Sequence, residues 1–276
     1  MIRGTTRLVA HFGDPIAPVQ SPLIYNPYFE RNAIDVAVVP MEVRRDDYPD
    51  ALRAVLRMTN ALGAIVTMPH KQTTVRLLDG CSPRVRAAGS CNAIVRRPDG
   101  TLFGELFDGV GFVAALQRNG YSPTGARCLV IGAGGAGSAI ALALAAAGAR
   151  ELVTHDIAPE PAAVLLARLR AHHPELAASA GPNDPAGFDL VVNASSVGMS
   201  PGDRPPVDVS RLDAASFVAE VVMKPDATPL LAAARERGCR TQPGIDMLFE
   251  QIPLYLEFFG LGQASSDELR SAARLR

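Results

Sequence analysis

The stretch CLVIGAGGAGSAI, residues 128–140, decides the fold of the second half of the chain. An apolar, strand-like run leads into a glycine cluster, and an alanine-rich helical pattern follows it. In the G-x-G-x-x-G motif the glycines permit a tight turn, a close approach of a pyrophosphate and tight packing of helix on strand. The motif therefore predicts a dinucleotide site, unless the turn serves packing alone, at Gly132, Ala133, Gly134, Gly135, Ala136 and Gly137.

A second strand-like run, ELVTHD, ends in Asp156 downstream of this turn. A carboxylate there can accept hydrogen bonds from the adenosine ribose hydroxyls and would repel a 2′-phosphate. The next basic residue is Arg168, so the usual cationic clamp for that phosphate is missing. We therefore predict NAD as the cofactor and NADP as the less favoured one. The alternative is that Asp156 only caps the following turn.

Strand-like and helical patterns also alternate in the first third of the chain. The runs RLVAHF, IDVAVVP and GAIVTM predict strands, and helical spacing is present at residues 22–31, 48–62 and 70–78. Such alternation indicates βαβ units and a mainly parallel sheet. The runs CNAIVRR and TLFGELF flank Pro98-Asp99-Gly100, which predicts a hairpin.

The predicted fold class is α/β with two domains. Residues 1–110 are expected to form a substrate-binding and catalytic domain, and residues 120–240 a Rossmann-type dinucleotide-binding domain. The turn-rich segment 121–126 is the expected connection. The C-terminal helices, residues 244–276, are expected to pack back onto the first domain.

The composition favours a globular enzyme with a small-molecule partner. Lys plus Arg (27) nearly balances Asp plus Glu (28), so no strong field favours nucleic acid or a membrane. The cysteines lie far apart without a CxxC pair, which predicts buried thiols and no metal site. No secretory signal or membrane span is visible, and we expect a soluble cytoplasmic protein that is a monomer or a homodimer.

Two charged residues follow strand-like runs in the first domain. Lys71 ends VTMPHK, and Asp108 lies among glycines in GELFDGVGF. Both positions are strand ends, where α/β sheets place functional groups. They are candidates for one catalytic site, although a lone lysine at such a turn is more often solvated.

Six blocks in order along nearly the whole chain resemble the shikimate dehydrogenase family: GDPIAPVQSP, VTMPHK, GSCNAIVRRPDGTLFGELFDGVGF, VIGAGGAGSAI, DLVVNASSVGM and TPLLAAARERGCRTQPGIDMLFEQ. In that family the lysine after VTxPH and the aspartate of the DGxG block form the catalytic pair, which implies Lys71 and Asp108. The resemblance implies hydride transfer between nicotinamide and a secondary alcohol or ketone of a shikimate-related cyclic hydroxy acid.

The resemblance also implies further contact residues. Those for the substrate are Ser21, Thr67, Asn92, Phe107, Met223 and Gln251. Those for the cofactor, besides the glycine turn and Asp156, are Asn193, Ser195, Val221 and Gly244.

The chain departs from the family where a polyol acid would be bound. Apolar residues stand where the family has serine, asparagine, the asparagine and threonine before the aspartate, and tyrosine: Val19, Ile65, Leu106, Phe107 and Met223. Each unpaired buried polar group costs roughly 1–3 kcal/mol, so these losses should weaken shikimate binding. We expect a less hydroxylated or more aromatic acid, with Phe107 available to stack on a ring.

Four questions remain open at this point. The protein is an authentic shikimate or quinate dehydrogenase if other residues compensate for these changes. It is a catalytically idle NAD-binding regulator if the cleft binds the dinucleotide without chemistry, although retention of both Lys71 and Asp108 argues against this. Lys224 is either a new partner for the substrate carboxylate or a solvated lysine, and His11 lies either in the core or in the pocket.

Overall fold

The computed structural model describes residues 2–200, 202–223 and 228–275. The chain folds into two compact units, of which the first contains Met1–Phe107 and Phe249–Arg276 and the second Asp108–Leu248. The candidate Lys224 lies outside the described residues.

The first unit is built on a mixed six-stranded sheet. Its strands are β1 (Arg7–Gly13), β2 (Val36–Glu42), β3 (Ala61–Val66), β4 (Gly80–Cys81), β5 (Ala93–Arg96) and β6 (Leu102–Glu105), in the order β2-β1-β3-β5-β6-β4. Strand β5 runs antiparallel to β3 and β6, and the remaining pairs are parallel. The helices between them are α1 (Pro22–Arg31), α2 (Tyr48–Leu56), α3 (Lys71–Val75) and α4 (Pro83–Ala88). The expected hairpin is β5–β6.

Two helices of this unit are shorter than the helical spacing predicts. Helix α2 ends at Leu56 rather than at residue 62, because residues from Ala61 onward pair with β1 and the Leu8 N–H donates to the carbonyl of Asn60 at 2.8 Å. Helix α3 covers Lys71–Val75 rather than 70–78. In α2, strand pairing outweighs a weak local helical preference.

The second unit has a six-stranded, fully parallel sheet. Its elements are α5 (Asp108–Arg118), β7 (Arg127–Ile131), α6 (Gly135–Ala146), β8 (Glu151–His155), α7 (Pro159–His172), β9 (Ala177–Ala180), β10 (Leu190–Asn193), β11 (Phe217–Glu220), α8 (Pro229–Glu236) and β12 (Arg240–Gln242). The strand order is β12-β11-β10-β7-β8-β9. The chain moves outward from β7 in one direction and then returns to β10 on its other side. Ligands bind at such a switch point, beyond the carboxyl ends of the strands.

The units divide at Phe107 and Asp108 rather than within the expected connection at 121–126. Helix α5 belongs to the second unit because it packs closely on α6. A Cβ atom at Gly109 would overlap the carbonyl oxygen of Ala139. Tyr121, in the expected connection, packs its ring on Phe217 at 4.7 Å.

The C-terminal segment from Phe249 onward belongs to the first unit. Helix α9 (Gly244–Phe258) spans the division between the units, and α10 (Ser266–Ala272) packs against α1. After α10 the Arg274 N–H donates to the carbonyl of Leu23 at 2.8 Å. Ser265 begins α10 with a capping box to Glu268.

Two kinds of feature are absent from the residues that the structure describes. No helix there is long and apolar enough to cross a membrane. No group of three or more His, Cys, Asp and Glu side chains in the same residues could hold a metal ion.

Candidate active site

The carboxyl ends of β1 and β3 bring the first group of candidate residues to one edge of the sheet. The Thr67 N–H donates to the carbonyl of Phe12 at 2.9 Å, and the Asp14 N–H donates to that of Met68 at 3.0 Å. A Cβ atom at Gly13 would lie 2.6 Å from the Thr67 methyl group. The two strand ends therefore pack so closely that only glycine fits there.

Lys71 is the first residue of α3 and is partly buried. Its carbonyl oxygen accepts the N–H of Cys91 at 2.9 Å. This bond ties the lysine backbone to the segment that carries Asn92. Lys71 lies near the end of β3 because α3 begins only five residues after that strand ends.

Asn92 is 1% exposed, and its amide group is only half used. Its Oδ1 atom accepts the N–H of Phe107 at 3.0 Å, and its carbonyl accepts the N–H of Val66 at 2.9 Å. Its Nδ2 atom has no hydrogen-bond partner in the described structure. Because buried donors are nearly always paired, this amide is available to a ligand oxygen.

Ser21 and His11 form a buried polar pair. The Ser21 Oγ and His11 Nδ1 atoms are 2.7 Å apart, and the side chains are 3% and 5% exposed. Burial, and secondly the positive charge of Lys71, lower the pKa of His11 to about 3. Sequence reasoning left His11 open between core and pocket. Its partner lies across a turn, and no sequence pattern shows that bond.

Phe107 packs among aromatic side chains of the same unit. Its ring makes edge contacts with Tyr255 at 4.9 Å and Phe258 at 5.7 Å, and it is 5% exposed. Leu106 and Ile65 are buried as well, and Gln251 is buried in α9. The expectation that Phe107 stacks on a substrate ring remains a prediction, since most of this ring is covered by its neighbours.

Asp108 begins α5 and is 2% exposed. It belongs to the second unit, whereas Lys71 belongs to the first. A carboxylate in the first turn of a helix interacts favourably with the helix dipole. The backbone around it is held by the close contact of Gly109 with α6.

The glycine turn has the geometry that dinucleotide binding requires. Gly132 has φ +97°, and a Cβ atom there would lie 2.9 Å from the backbone nitrogen of Ser195. A Cβ atom at Gly137 would overlap the carbonyl oxygen of Gly132. At Gly134, the residue before α6, a Cβ atom would meet nothing within 4 Å. The turn is thus closed on the protein side and open at its middle glycine, and Gly135 and Ala136 begin the helix.

Asp156 uses both carboxylate oxygens within the protein. Oδ2 accepts the N–H of Ala133 at 2.8 Å, and Oδ1 accepts that of Ala158 at 3.1 Å. The carboxylate therefore braces the glycine turn and caps its own turn, and its role at the cofactor stays a prediction.

The other cofactor candidates lie at the ends of β10 and β11. Asn193 Oδ1 accepts both the N–H (3.1 Å) and the hydroxyl (2.6 Å) of Ser195, and the Val221 N–H donates to the Asn193 carbonyl at 3.0 Å. A Cβ atom at Gly244 would lie 2.5 Å from the Val221 carbonyl carbon. These residues form one cluster beside the glycine turn, and Met223 is partly buried two residues beyond Val221.

Glu220, at the end of β11, is a buried acid that sequence reasoning missed. It is fully buried, its Oε2 accepts the Thr228 hydroxyl at 2.9 Å, and the Asn193 side chain also interacts with the carboxyl group. Burial raises the pKa of Glu220 to about 7. In the sequence Glu220 lies within the apolar run FVAEVV, and the run alone does not show that the carboxyl group is buried.

We expect Glu220→Gln to stabilise the protein above pH 7. In the unfolded chain the Glu220 carboxyl ionises near pH 4.5, whereas in the folded protein its pKa is about 7. The protonated carboxyl group favours the folded state, and this contribution is complete below pH 4.5. It is lost as the pH rises through 7, so that at pH 8 the free energy of unfolding is about 3 kcal/mol lower than below pH 4.5. Denaturant unfolding at pH 5 and pH 8 measures this. The exposed Glu236→Gln on α8 is the control, and a Glu220→Gln gain that is equal at both pH values would contradict the assignment.

A parallel sheet with a glycine turn at its switch point defines the second unit as dinucleotide-binding. Residues 12–94 match the family model of the shikimate dehydrogenase substrate binding domain. A curated shikimate dehydrogenase (NADP(+)) from Acidiphilium cryptum (strain JF-5) is 38% identical over 275 residues, which cover 99% of this chain and 97% of that protein. The chain belongs to the shikimate dehydrogenase family.

Solved structures agree over the same length. Shikimate 5-dehydrogenase from Listeria monocytogenes, in complex with shikimate and NAD, is 28% identical with a TM-score of 0.87, and the match covers 98% of this chain and 97% of that one. The enzyme from Thermus thermophilus, in complex with NADP(H) and shikimate, is 27% identical with a TM-score of 0.86, covering 98% and 99%. These matches confirm the α/β fold class and support a dehydrogenase that acts on CH–OH groups.

The prediction of NAD in preference to NADP is wrong by these comparisons. The Acidiphilium cryptum protein and further curated relatives carry NADP(+) in their names, and the Thermus thermophilus enzyme is solved with NADP(H). A ribose-facing Asp156 carboxylate was the basis of the NAD prediction. In the structure each of its oxygens accepts one backbone N–H group and keeps a further acceptor site, and its contact with a ribose stays a prediction.

Proposed function

We propose that the chain is an NADP-dependent dehydrogenase of a shikimate-like cyclic hydroxy acid, with Lys71 and Asp108 as the catalytic pair. The observation that carries this proposal is the edge of the first sheet. There a lysine follows β3, a buried serine follows β1, and a buried amide with an unused donor precedes β5, which begins beside the end of β3. An acid with ring hydroxyls supplies the oxygen atoms that such donors need.

The glycine turn fits the proposed cofactor. Space is open at Gly134, and the N-terminus of α6 lies next to it, so the backbone can approach a pyrophosphate without a clash. When the cofactor is bound, its nicotinamide supplies or accepts the hydride.

Lys71 and Asp108 would manage the proton of the reacting oxygen. As a ketone carbon gains hydride, the Lys71 ammonium donates a proton to the developing alkoxide, and solvent replaces that proton. In the reverse direction the amine accepts the hydroxyl proton. Asp108 would hold the ammonium by charge and accept a hydrogen bond from the same substrate hydroxyl. Ser21, Thr67, Asn92 and Gln251 would orient the acid.

The apolar replacements support a substrate with fewer hydroxyls than shikimate. Ile65, Leu106 and Phe107 are all buried and offer no hydrogen bonds from their side chains. A site of this kind binds a ring with apolar edges better than a fully hydroxylated one, because unpaired hydroxyls are costly to bury.

Turnover assays test this proposal. The purified protein is incubated with shikimate, quinate and less hydroxylated or aromatic cyclic acids, each with NADP and with NAD, and formation of the reduced cofactor is followed. We expect the highest kcat/KM with NADP and with an acid of fewer hydroxyls. Equal or better turnover of shikimate would contradict the substrate preference. If the protein binds NADP but turns over none of the acids, the dehydrogenase proposal is overturned in favour of a cofactor-binding regulator.

A further inference from the structure

His11 is a buried polar group at the proposed substrate site that the proton-transfer step does not use. It lies on β1, in register with Ile65 of β3, and its Nδ1 atom is 2.7 Å from the Ser21 hydroxyl. Lys71 is near enough for its charge to act on the ring. His11 therefore lies among residues that the proposed function places around the acid.

Ser21 has the position of a helix cap without the bond of one. It is the residue before α1, where a serine side chain usually accepts a backbone N–H from the first turn. Here its side chain makes no cap hydrogen bond and pairs with His11 instead. The direction of this hydroxyl is thus decided by the imidazole rather than by the helix.

The imidazole is neutral under ordinary conditions, because burial and the Lys71 charge both oppose its protonation. A neutral ring carries one N–H, on either Nδ1 or Nε2. If Nδ1 lacks the hydrogen, it accepts the Ser21 hydroxyl, whose hydrogen is then unavailable to a ligand. If Nδ1 carries the hydrogen, it donates to Oγ and leaves the hydroxyl hydrogen of Ser21 to donate elsewhere.

We propose that His11 is a positioning residue that sets the selectivity of the site for the carboxylate of the substrate, by donating from Nδ1 to Ser21 so that the Ser21 hydroxyl donates to the acid. The inference rests on the proposed function. The chain of two hydrogen bonds is stronger than separate bonds, since each polarises the next. An anionic ligand also favours the tautomer with the hydrogen on Nδ1, because only that tautomer leaves the serine hydrogen to the anion.

A second histidine shows that burial alone does not make such a site. His70 is 1% exposed, stacks on Tyr48 with ring centroids 4.1 Å apart, and pairs its Nε2 with the Val43 carbonyl at 2.8 Å. Its ring nitrogen is bound to backbone, and its role is packing. His11 differs because its partner is a side-chain hydroxyl at the end of the sheet.

The test uses His11→Leu and His11→Asn in the full-length protein, with the best acid substrate found and its methyl ester. Asparagine places an N–H close to the position of Nδ1, whereas leucine fills the space without a donor. We expect His11→Leu to raise the KM for the acid about tenfold or more, with kcat within about threefold and the KM for NADP unchanged. His11→Asn should restore most of the lost affinity. The ester, which lacks the negative charge, should be affected much less than the acid.

Coupling to Ser21 separates this role from a structural one. Ser21→Ala should raise the KM for the acid similarly, and the double variant His11→Leu/Ser21→Ala should be no worse than Ser21→Ala alone. The control is Tyr25→Phe, which removes a buried hydroxyl of α1 that has no hydrogen-bond partner in the described structure. An unchanged KM in a folded His11→Leu variant, additive effects in the double variant, or equal losses for acid and ester would overturn the role of His11. Absence of turnover in the unmodified protein would instead sink the proposed function, and with it this inference.

Discussion

Replacing Lys71 by methionine is expected to lower kcat by about a thousandfold while NADP affinity stays within about twofold. Methionine keeps the length and the apolar stem of the side chain but cannot exchange a proton with the reacting oxygen. The backbone should remain in place, because the bond from Cys91 is made to the lysine carbonyl and not to its side chain. Steady-state kinetics, with cofactor binding measured separately, gives both numbers.

Asp108→Asn extends the same test to the second member of the pair. The amide keeps the shape of the carboxylate and removes the charge, so we expect kcat to fall by about a hundredfold. Gln72→Ala, at the exposed neighbour of Lys71 in α3, is the control and should behave as the unmodified protein. Full turnover in the Lys71→Met or the Asp108→Asn variant would show that the assigned role is wrong.

The features that sequence alone predicted are those written in local spacing. The strand, glycine turn and helix around Gly132, Gly134 and Gly137 follow one another directly, and the structure has them in that arrangement. The β5–β6 hairpin is of the same kind. In each case the residues that decide the structure are neighbours in the chain.

Contacts that depend on distant partners were not predicted from the sequence. The Asp156 carboxylate accepts N–H groups from Ala133 and Ala158, and its link to the glycine turn was not predicted from the sequence. Side chains of α9 cover most of the Phe107 ring, a contact that the sequence did not predict, and stacking of this ring on a ligand stays a prediction. Sequence position gives no measure of such long-range contacts, which arise only when the chain is folded.

The His11–Ser21 pair and Glu220 belong to the same category. The properties of both depend on the burial of a polar side chain. A strand pattern of apolar residues does not show that a polar residue within it is buried. The signals that exist are weak ones: a histidine inside an apolar strand and an acid in FVAEVV break the pattern. Each such interruption is a reason to look for a partner across the sheet.

Two substitutions in the glycine turn are expected to have different effects on stability. Gly137→Ala should lower the free energy of unfolding of the second unit by about 3 kcal/mol or more, because the new methyl group would overlap the Gly132 carbonyl, which is backbone and cannot move aside cheaply. Gly134→Ala should leave stability unchanged or slightly raised, since the site is open and the φ of −70° is one that alanine adopts readily.

Cofactor affinity should separate the two variants further. At Gly134 the methyl group would occupy the space that a pyrophosphate needs, so we expect NADP to bind about 10- to 100-fold more weakly to a protein of normal stability. At Gly137 any loss of binding should accompany loss of structure. Denaturant unfolding without cofactor and calorimetric titration with NADP measure the two quantities. If Gly134→Ala binds NADP normally, the open face of the turn is not where the pyrophosphate lies. If Gly137→Ala is as stable as the unmodified protein, close packing of α6 on the turn is not what the third glycine provides.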